Sequence, residues 1–274
     1  MLRLDANVLD AGGMPRPLQL TRDLRAALST GELWIAFQPQ YDLDPAGPPD
    51  APEPTDPVAV EALCRWTHAH LGAVPPDTFI PLAEQGHFLD EVDLQVFDRA
   101  AERVMRWRGS GHPLGLAVNA SPAHFSTRYA DTVVARLDRL GIDPAGITIE
   151  ITEAPTPQLR PEMLTAMQTL RSVGVSISVD DYAGGDTTVA MLEALPIDEV
   201  KIDRSLTQRT DAEADDAIAA VVASSAEHGW RVLAEGIETV AHLERSRRRG
   251  CHRGQGYLWG LPMPSDEMDE LLAV

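Results

Sequence analysis

The side chains best suited to catalysis are acids, an amide and a lysine that lie within or at the end of short apolar runs. They are Glu61, Asn119, Glu150, Asp180, Asp181, Lys201 and Glu235. Successive side chains of a β-strand point to opposite faces, so the isoleucines of residues 147–152 face one side and Glu150 faces the other. Residues 175–181 and 231–235 alternate in the same way. Each run therefore predicts a strand with one aliphatic face and one polar face.

The polar faces of these strands are expected to share one edge of the fold. In an α/β barrel, catalytic groups come from the carboxyl ends of several strands. We expect four acids to converge there, with Asp181 at the rim. The four are Glu61, Glu150, Asp180 and Glu235. A single acid at a strand end more often caps the next helix, but acids on separate strands would not need a common face for that purpose.

Such a cluster requires compensating positive charge. Carboxylates in close contact cannot all stay ionised, because each raises the pKa of its neighbours. Lys201 supplies one positive charge, which is too little, so we expect bound cations. The donors are oxygen atoms, with Asn119 as a neutral member and no thiolate or histidine cluster, which favours Mg²⁺ or Mn²⁺ over Zn²⁺. The adjacent Asp180 and Asp181 could serve two metals about 4 Å apart, an arrangement that hydrolyses phosphodiesters.

Strand-like runs alternate with helix-like segments along the chain. The predicted strands are residues 34–41, 58–66, 115–119, 147–152, 175–181, 199–203, 231–235 and, more weakly, 254–258. The predicted helices are residues 18–28, 89–107, 130–140, 162–173, 188–195, 211–228, 239–249 and 265–272. This alternation, repeated about eight times, predicts an α/β protein with a closed barrel as a single domain.

The composition fits one barrel and argues against several kinds of partner. The chain has 274 residues, of which 44% are hydrophobic, and its formal net charge is −19. Such a chain repels long nucleic acids and anionic membranes unless a local basic patch intervenes. The one candidate patch consists of Arg245, Arg247, Arg248 and Arg249. We predict that these arginines form a solvated helix end, where basic residues are favourable.

The remaining segments predict a cytoplasmic protein with a short tail and one surface loop. Two distant cysteines, Cys64 and Cys251, indicate a reduced environment. No run approaches the roughly 18 apolar residues of a membrane span, and the N-terminal residues lack the pattern of a secretory signal. We expect residues 1–17 to be a tail and residues 18–274 to form the barrel. Residues 42–57 are rich in proline and aspartate and predict a surface loop, either inert or used in partner binding.

The segment Glu61-Ala-Leu63-Cys-Arg65 resembles the motif that names the EAL phosphodiesterases. The similarity extends from Leu18 to Pro264, which is nearly the whole chain. Further matching segments, in the order of that family, are FQPQ at 37–40, FIPLAE at 79–84, VNAS at 118–121, EITE at 150–153, DD at 180–181, KIDR at 201–204, AEGIET at 234–239 and QGY at 255–257. A lone EAL triplet is weak evidence, whereas the ordered set is specific.

The resemblance implies a fold, a reaction and a cofactor. The fold would be a modified TIM barrel in which one strand runs antiparallel to the others, and the protein would be a homodimer. The reaction would be hydrolysis of cyclic di-GMP to linear pGpG with two Mg²⁺ or Mn²⁺ ions per active site. The ions would neutralise the phosphate and lower the pKa of the attacking water.

The resemblance also implies a role for each matching residue. Glu61, Asn119, Glu150 and Asp180 would hold one metal, and Asp180, Asp181 and Glu235 would serve the second. The catalytic set would be Glu61, Lys201, Glu235 and Gln255. Substrate contacts would come from Gln38, Leu63, Arg65 and Asp203, with Arg65 at a phosphate. Glu153 would support the loop that follows Asp181.

The loop after Asp181 departs from the family pattern. It reads Tyr182-Ala-Gly-Gly-Asp-Thr-Thr where the family usually has Phe-Gly-Thr-Gly-Tyr-Ser-Ser. Ala183 replaces a glycine, and alanine is poorly suited to a positive φ angle. A second hypothesis therefore stands beside the enzyme: a weak or inactive EAL domain that acts as a cyclic di-GMP receptor or as a protein-interaction module.

Overall fold

The computed structural model of the protein describes residues 17–44, 51, 53–122, 125–152, 160–185 and 187–274. Within these residues the strands are β1 (Leu33–Asp42), β2 (Ala59–His68), β3 (Gly72–Val74), β4 (Gly115–Ala120), β5 (Ile147–Thr152), β6 (Ser176–Tyr182), β7 (Glu199–Ile202), β8 (Arg231–Ala234) and β9 (Arg253–Gln255). The sheet order is β1-β9-β8-β7-β6-β5-β4-β2-β3, and β1 also pairs with β2. That pairing closes eight strands into a barrel, while β3 extends β2 as a hairpin.

Helices surround the barrel. They are α1 (Pro17–Thr30), α2 (Pro76–Gln85), α3 (Leu89–Gly109), α4 (Thr127–Leu140), α5 (Pro161–Ser172), α6 (Val189–Glu193), α7 (Arg204–Thr207), α8 (Ala212–His228), α9 (Val240–Arg248) and α10 (Ser265–Leu272). Local residues define their ends. For example, the Ser126 hydroxyl accepts the Tyr129 N–H at the start of α4, and Gly141 ends that helix at a φ of 64°. In the part of the chain that the structure describes, no helix has both the length and the apolar character needed to cross a bilayer.

β1 is antiparallel to both of its neighbours, β2 and β9, whereas the other barrel strands pair in parallel. The prediction of a modified barrel with one antiparallel strand is therefore confirmed. The facing pairs of β1 and β2 are Trp34–Arg65, Ala36–Leu63 and Gln38–Glu61. The carboxyl ends of the parallel strands form the mouth of the barrel. Because β1 runs in the opposite direction, its N-terminal end lies at this mouth.

The aliphatic faces of the strands pack under the helices, as the alternating pattern predicts. Ile147, Ile149 and Ile151 of β5 are buried in the main apolar cluster, whereas Glu150 between them faces the barrel interior. A second apolar cluster joins α1 and α2 to the end of β2. There, the rings of Trp66 and Phe79 meet edge to face with centroids 6.1 Å apart.

Three elements are absent from the sequence-based prediction: β3, α2 and α7. The helix α2 begins at Pro76 and contains Pro81, a residue that normally interrupts a helical pattern. The helix α7 is a single turn, and β3 has only three residues. Segments this short carry too few positions for a hydrophobic period to be recognised.

The prediction of a solvated arginine patch is wrong for two of its four members. Arg247 is only 6% exposed and donates to the carbonyl oxygens of Leu43 at 3.0 Å and Ala51 at 2.7 Å. The side chain of Arg249 is also 6% exposed and pairs with Asp215. The contacts of Arg247 hold described parts of the proline-rich loop. Residues 45–50 and 52 of that loop, like residues 1–16 of the predicted tail, lie outside the described residues.

Gly256, directly after β9, lies against the backbone of Ile237. A Cβ at position 256 would lie 2.3 Å from both the nitrogen and the oxygen of Ile237. Those two atoms already bond to Gln255 O and Leu258 N. Backbone atoms cannot rotate away as a flexible side chain would, so this close approach requires glycine.

We predict that Gly256→Ala lowers the free energy of unfolding by about 1–3 kcal/mol, the usual cost of overpacking. Urea denaturation measures this change. Gly109→Ala is the matched control, because its added Cβ meets nothing within 4 Å at the end of α3, and it should be neutral or slightly stabilising. Equal stability of Gly256→Ala and the wild type would contradict the prediction.

Asp93 on α3 connects that helix to the loop after β4, because its carboxylate accepts the Ser121 N–H at 3.3 Å. Burial raises the pKa of Asp93 to about 7, and the nearby Asp90 acts in the same direction. In the unfolded chain an aspartate titrates near pH 4. The folded protein therefore binds this proton more tightly, and its stability falls as the pH rises from about 4 to about 7.

We predict that Asp93→Asn stabilises the protein at pH 8 by about 1–3 kcal/mol and changes little at pH 4, since each pKa unit corresponds to about 1.4 kcal/mol. The asparagine resembles the protonated acid and can still accept from Ser121. Thermal unfolding followed across pH 4 to 8 gives the comparison. A variant whose pH profile runs parallel to that of the wild type would refute the role of Asp93.

Candidate active site

Lys201 lies inside the barrel with four carboxylates around its ammonium group. Its Nζ atom is 2.9 Å from Asp180 Oδ1, 3.0 Å from Glu150 Oε2 and Glu235 Oε1, and 3.4 Å from Glu61 Oε2. The four acids that the sequence places on inward faces are thus brought together. Lys201 is fully buried and is the only lysine of the chain. An ammonium group is a compact charge with three rotatable donors, which suits this cage better than a planar guanidinium.

Amide side chains fix the orientation of Glu61. Asn119 Nδ2 donates to Glu61 Oε1 at 3.0 Å, and Gln255 Nε2 donates to Glu61 Oε2 at 2.6 Å. Gln255 also donates to Gln38 Oε1 at 3.1 Å and accepts from Gln40 Nε2 at 3.0 Å. The three glutamines come from β1 and β9, so the antiparallel strand contributes directly to the site.

The cluster shifts the pKa values of its members in different directions. Burial raises the pKa of Glu235 to about 8 and that of Glu150 well above its usual value, and neighbouring carboxylates add to both shifts. Burial acts on Glu61 as well, but the charge of Lys201 and hydrogen bonds from the amides outweigh it and lower the pKa. Burial disfavours the charged form of Lys201, yet the surrounding acids raise its pKa well above the usual value. One ammonium group does not balance these acids, so uncompensated negative charge remains in the cluster.

A β-bulge brings Asp181 into the cluster. The register between β6 and β7 shifts between Val179 and Tyr182, and Asp181 has a φ of 60°, a conformation that aspartate tolerates better than most residues. The Asp181 N–H donates to Asp180 Oδ1 at 3.0 Å. Strict alternation would turn Asp181 away from Asp180, and the bulge instead lets both face the site.

Two groups of acids could each hold a cation. They are Glu61, Glu150 and Asp180, and Asp180, Asp181 and Glu235, and in each group the ligand atoms lie within 4.8 Å of one another. Among the described residues, Oε1 of Glu150 is buried without a hydrogen-bond partner. A buried acceptor in that state is costly, and a cation would satisfy it. Carboxylate and amide oxygens are the ligands that hard divalent cations prefer, so the residues fit such an ion.

A cleft of about 240 Å³ opens beside the second group of acids. Its lining includes Asp181, Asp203, Arg204, Glu235, Glu238 and Tyr257. Three of these lining residues are not among the site residues predicted from the sequence: Arg204, Glu238 and Tyr257. Each follows a predicted site residue by one to three positions near the carboxyl end of a strand, with Arg204 at the start of α7 and the other two in loops. This closeness in the sequence was the available signal.

The substrate-binding residues predicted from the resemblance lie near the acid cluster. Their roles in binding remain predictions. Leu63 and Arg65 follow Glu61 on the same face of β2, and Arg65 Nη1 donates to Cys64 O at 2.9 Å. Asp203 lines the cleft but also caps α7 by accepting the Ser205 N–H at 2.8 Å. Glu153 lies outside the described residues.

The strain expected at Ala183 does not occur. Gly184 and Gly185 take positive φ angles of 74° and 78°, whereas Ala183 is not among the residues with positive φ. The replacement of glycine by alanine at 183 is therefore compatible with the turn after Asp181. Asp186, which stands where the family pattern has an aromatic residue, lies outside the described residues.

The chain is similar to known proteins over nearly all of its length. It matches the EAL domain family over residues 21–262. It is 34% identical over 255 residues to the bifunctional diguanylate cyclase/cyclic di-GMP phosphodiesterase MucR of Pseudomonas aeruginosa, covering 92% of this chain and 36% of that protein. It is 28% identical over 259 residues to the cyclic di-GMP phosphodiesterase RocR of the same organism, covering 92% of this chain and 64% of that protein.

A solved structure shows the same architecture. The PaMucR phosphodiesterase in a c-di-GMP complex has a TM-score of 0.81 and 33% identity, with 91% of this chain and 99% of that chain covered. The chain is a member of the EAL domain family. It spans about a third of the length of MucR and less than two thirds of RocR.

We predict that Lys201→Met lowers the free energy of unfolding by about 3–5 kcal/mol in EDTA, because removing one partner leaves buried charges without compensation. Mn²⁺ should restore part of this loss by supplying positive charge in the same place. Urea denaturation with EDTA and with Mn²⁺ measures both effects. A variant as stable as the wild type in EDTA would show that Lys201 does not balance the acids.

Proposed function

We propose that this chain hydrolyses cyclic di-GMP to linear pGpG with the help of two divalent cations, Mg²⁺ or Mn²⁺. The observation that carries this proposal is the buried cluster of four carboxylates around Lys201, with an unsatisfied oxygen on Glu150. The proposal is also supported by membership of the EAL domain family and by similarity to proteins named as cyclic di-GMP phosphodiesterases.

The two acidic groups indicate which residues would hold the cations. Glu61, Asn119, Glu150 and Asp180 form the proposed first set, and Asp180, Asp181 and Glu235 the second. Cations bound there supply positive charge that neutralises a phosphate and activates a water molecule. They also explain how a chain with a net charge of −19 accepts an anionic substrate, since bound cations reverse the local field.

The chain's own residues orient the reacting groups. Lys201 Nζ keeps a proton and a positive charge beside the acids, because their charges raise its pKa, and it can stabilise negative charge that develops on the phosphate. Gln255 holds Glu61 in one orientation through its 2.6 Å hydrogen bond. Gln38, Leu63, Arg65 and Asp203 are the proposed substrate contacts. Glu153 is proposed to support the loop after Asp181.

The test is an assay of the purified chain with cyclic di-GMP in Mg²⁺ or Mn²⁺, with products separated by chromatography. We predict that the wild type forms linear pGpG and that EDTA stops the reaction. Glu61→Gln should lower kcat/KM at least about a hundredfold, which is more than the effect expected from replacing a residue that does not bind the metal. Glu227→Gln is the matched control, because Glu227 is exposed on α8.

The other outcomes distinguish the alternative hypotheses. Binding of cyclic di-GMP by calorimetry without product would indicate a receptor. Neither binding nor product would leave the protein-interaction module. Product formation that continues in EDTA, or that Glu61→Gln leaves intact, would contradict the metal-dependent mechanism.

A further inference from the structure

Trp34 stands at the mouth of the barrel, on the strand that runs in the opposite direction to its neighbours. It is 36% exposed and is the most exposed of the five tryptophans in the chain. The register of β1 with β2 is continuous from Leu33 to Gln40, so Trp34 lies on the same inward face as Gln38. The two are four residues apart, which is about 13 Å along the strand at roughly 3.3 Å per residue.

The indole of Trp34 is held in one orientation. Its Nε1–H donates to Thr67 Oγ1 at 3.1 Å. Thr67 follows Arg65 on the same face of β2, and Arg65 is the residue directly opposite Trp34. An aromatic ring that is oriented by a hydrogen bond loses less conformational entropy when a ligand stacks on it.

The neighbours of Trp34 connect it to the acid cluster. From Arg65, opposite Trp34, the inward face of β2 continues away from the mouth with Leu63 and then Glu61. From Trp34, the same face of β1 continues with Ala36 and then Gln38. Burial lowers the pKa of Arg65, while the nearby Glu61 and Tyr257 act in the opposite direction. Arg65 thus faces Trp34 across the strand pair and has Glu61 and Tyr257 near enough to act on its charge.

We propose that Trp34 is a substrate-binding residue whose indole stacks with one guanine base of the cyclic dinucleotide, next to Arg65 at the adjoining phosphate. This inference rests on the proposed function. A nucleotide extends from its phosphate through the sugar to the base. The face of β1 and β2 offers an acid at the Gln38–Glu61 pair and, two inward-facing pairs further toward the mouth, an arginine and an aromatic ring opposite each other. Purine bases stack well on tryptophan, and an arginine beside the ring adds affinity for a phosphate.

An exposed tryptophan can also be an ordinary surface residue, since single apolar side chains are common on protein surfaces. Two observations argue against that explanation here. Trp34 lies on the face of β1 that also carries Gln38, with Arg65 directly opposite it, and the indole N–H donates to Thr67, so the two faces of the ring carry no polar atom.

The test compares steady-state kinetics of Trp34→Ala, Trp34→Phe and Thr67→Val with the wild type, using cyclic di-GMP and Mn²⁺. Trp34→Ala should raise KM about tenfold, the usual effect of losing a stacking side chain. The kcat should stay within about twofold, because the acids and Lys201 are untouched. Trp34→Phe keeps an aromatic face and should lose less. Thr67→Val frees the ring without removing it and should give an intermediate KM.

A second measurement does not depend on turnover. In EDTA, cyclic di-GMP should quench the tryptophan emission of the wild type but not that of Trp34→Phe, and calorimetry should give a dissociation constant that rises in Trp34→Ala. If Trp34→Ala fails to fold, as judged by circular dichroism, Trp34→Phe and Thr67→Val carry the same comparison.

The outcomes separate this inference from the proposed function. If the wild type turns over cyclic di-GMP and Trp34→Ala keeps the wild-type KM and dissociation constant, the stacking role alone is overturned. A wild type without turnover overturns the proposed function, and binding in EDTA then decides the role of Trp34. A wild type that neither turns over nor binds overturns both.

Discussion

Inside the barrel, one ammonium group faces four carboxylates that water reaches little, since Glu61, Glu150 and Asp180 are buried and the Glu235 side chain is only 17% exposed. The positions of these groups follow from the fold, because parallel strands in fixed register present their inward side chains at neighbouring heights. Lys201 offsets only part of the negative charge, so Glu150 and Glu235 hold protons more tightly than free acids do. Cations can replace those protons, and the requirement for metal in the proposed reaction has its physical origin in this imbalance.

The reversed strand has two effects on the site. First, it places Gln38 and Gln40 against Gln255, and this amide network fixes Glu61. Second, it brings its first residues to the mouth, where a parallel strand would bring its last. Trp34 faces Arg65 for this reason, and the pair lies toward the mouth from Glu61 on the same face of the two strands.

Apart from its histidines, the chain uses arginine for all of its other basic side chains and lysine only at the centre of the cluster. The difference follows from shape. Arg247 and Arg249 reach several carbonyl and carboxylate oxygens at once with a planar fork. Arg247 thereby binds the proline-rich loop, and Arg249 binds α7 and α8. Four carboxylates that surround a point from different directions are better matched by an ammonium group.

The sequence alone determined the strands and their inward faces, because a strand repeats every two residues and local alternation reveals it. This local pattern was sufficient to place Glu61, Glu150 and Asp180 on one surface and to predict the barrel. Tertiary structure decided what depends on distant pairing. The bulge that turns Asp181 inward, the register that sets Trp34 opposite Arg65 and the burial of Arg247 are products of contacts between segments far apart in the chain. No local period records such contacts, since each depends on where another strand or helix lies.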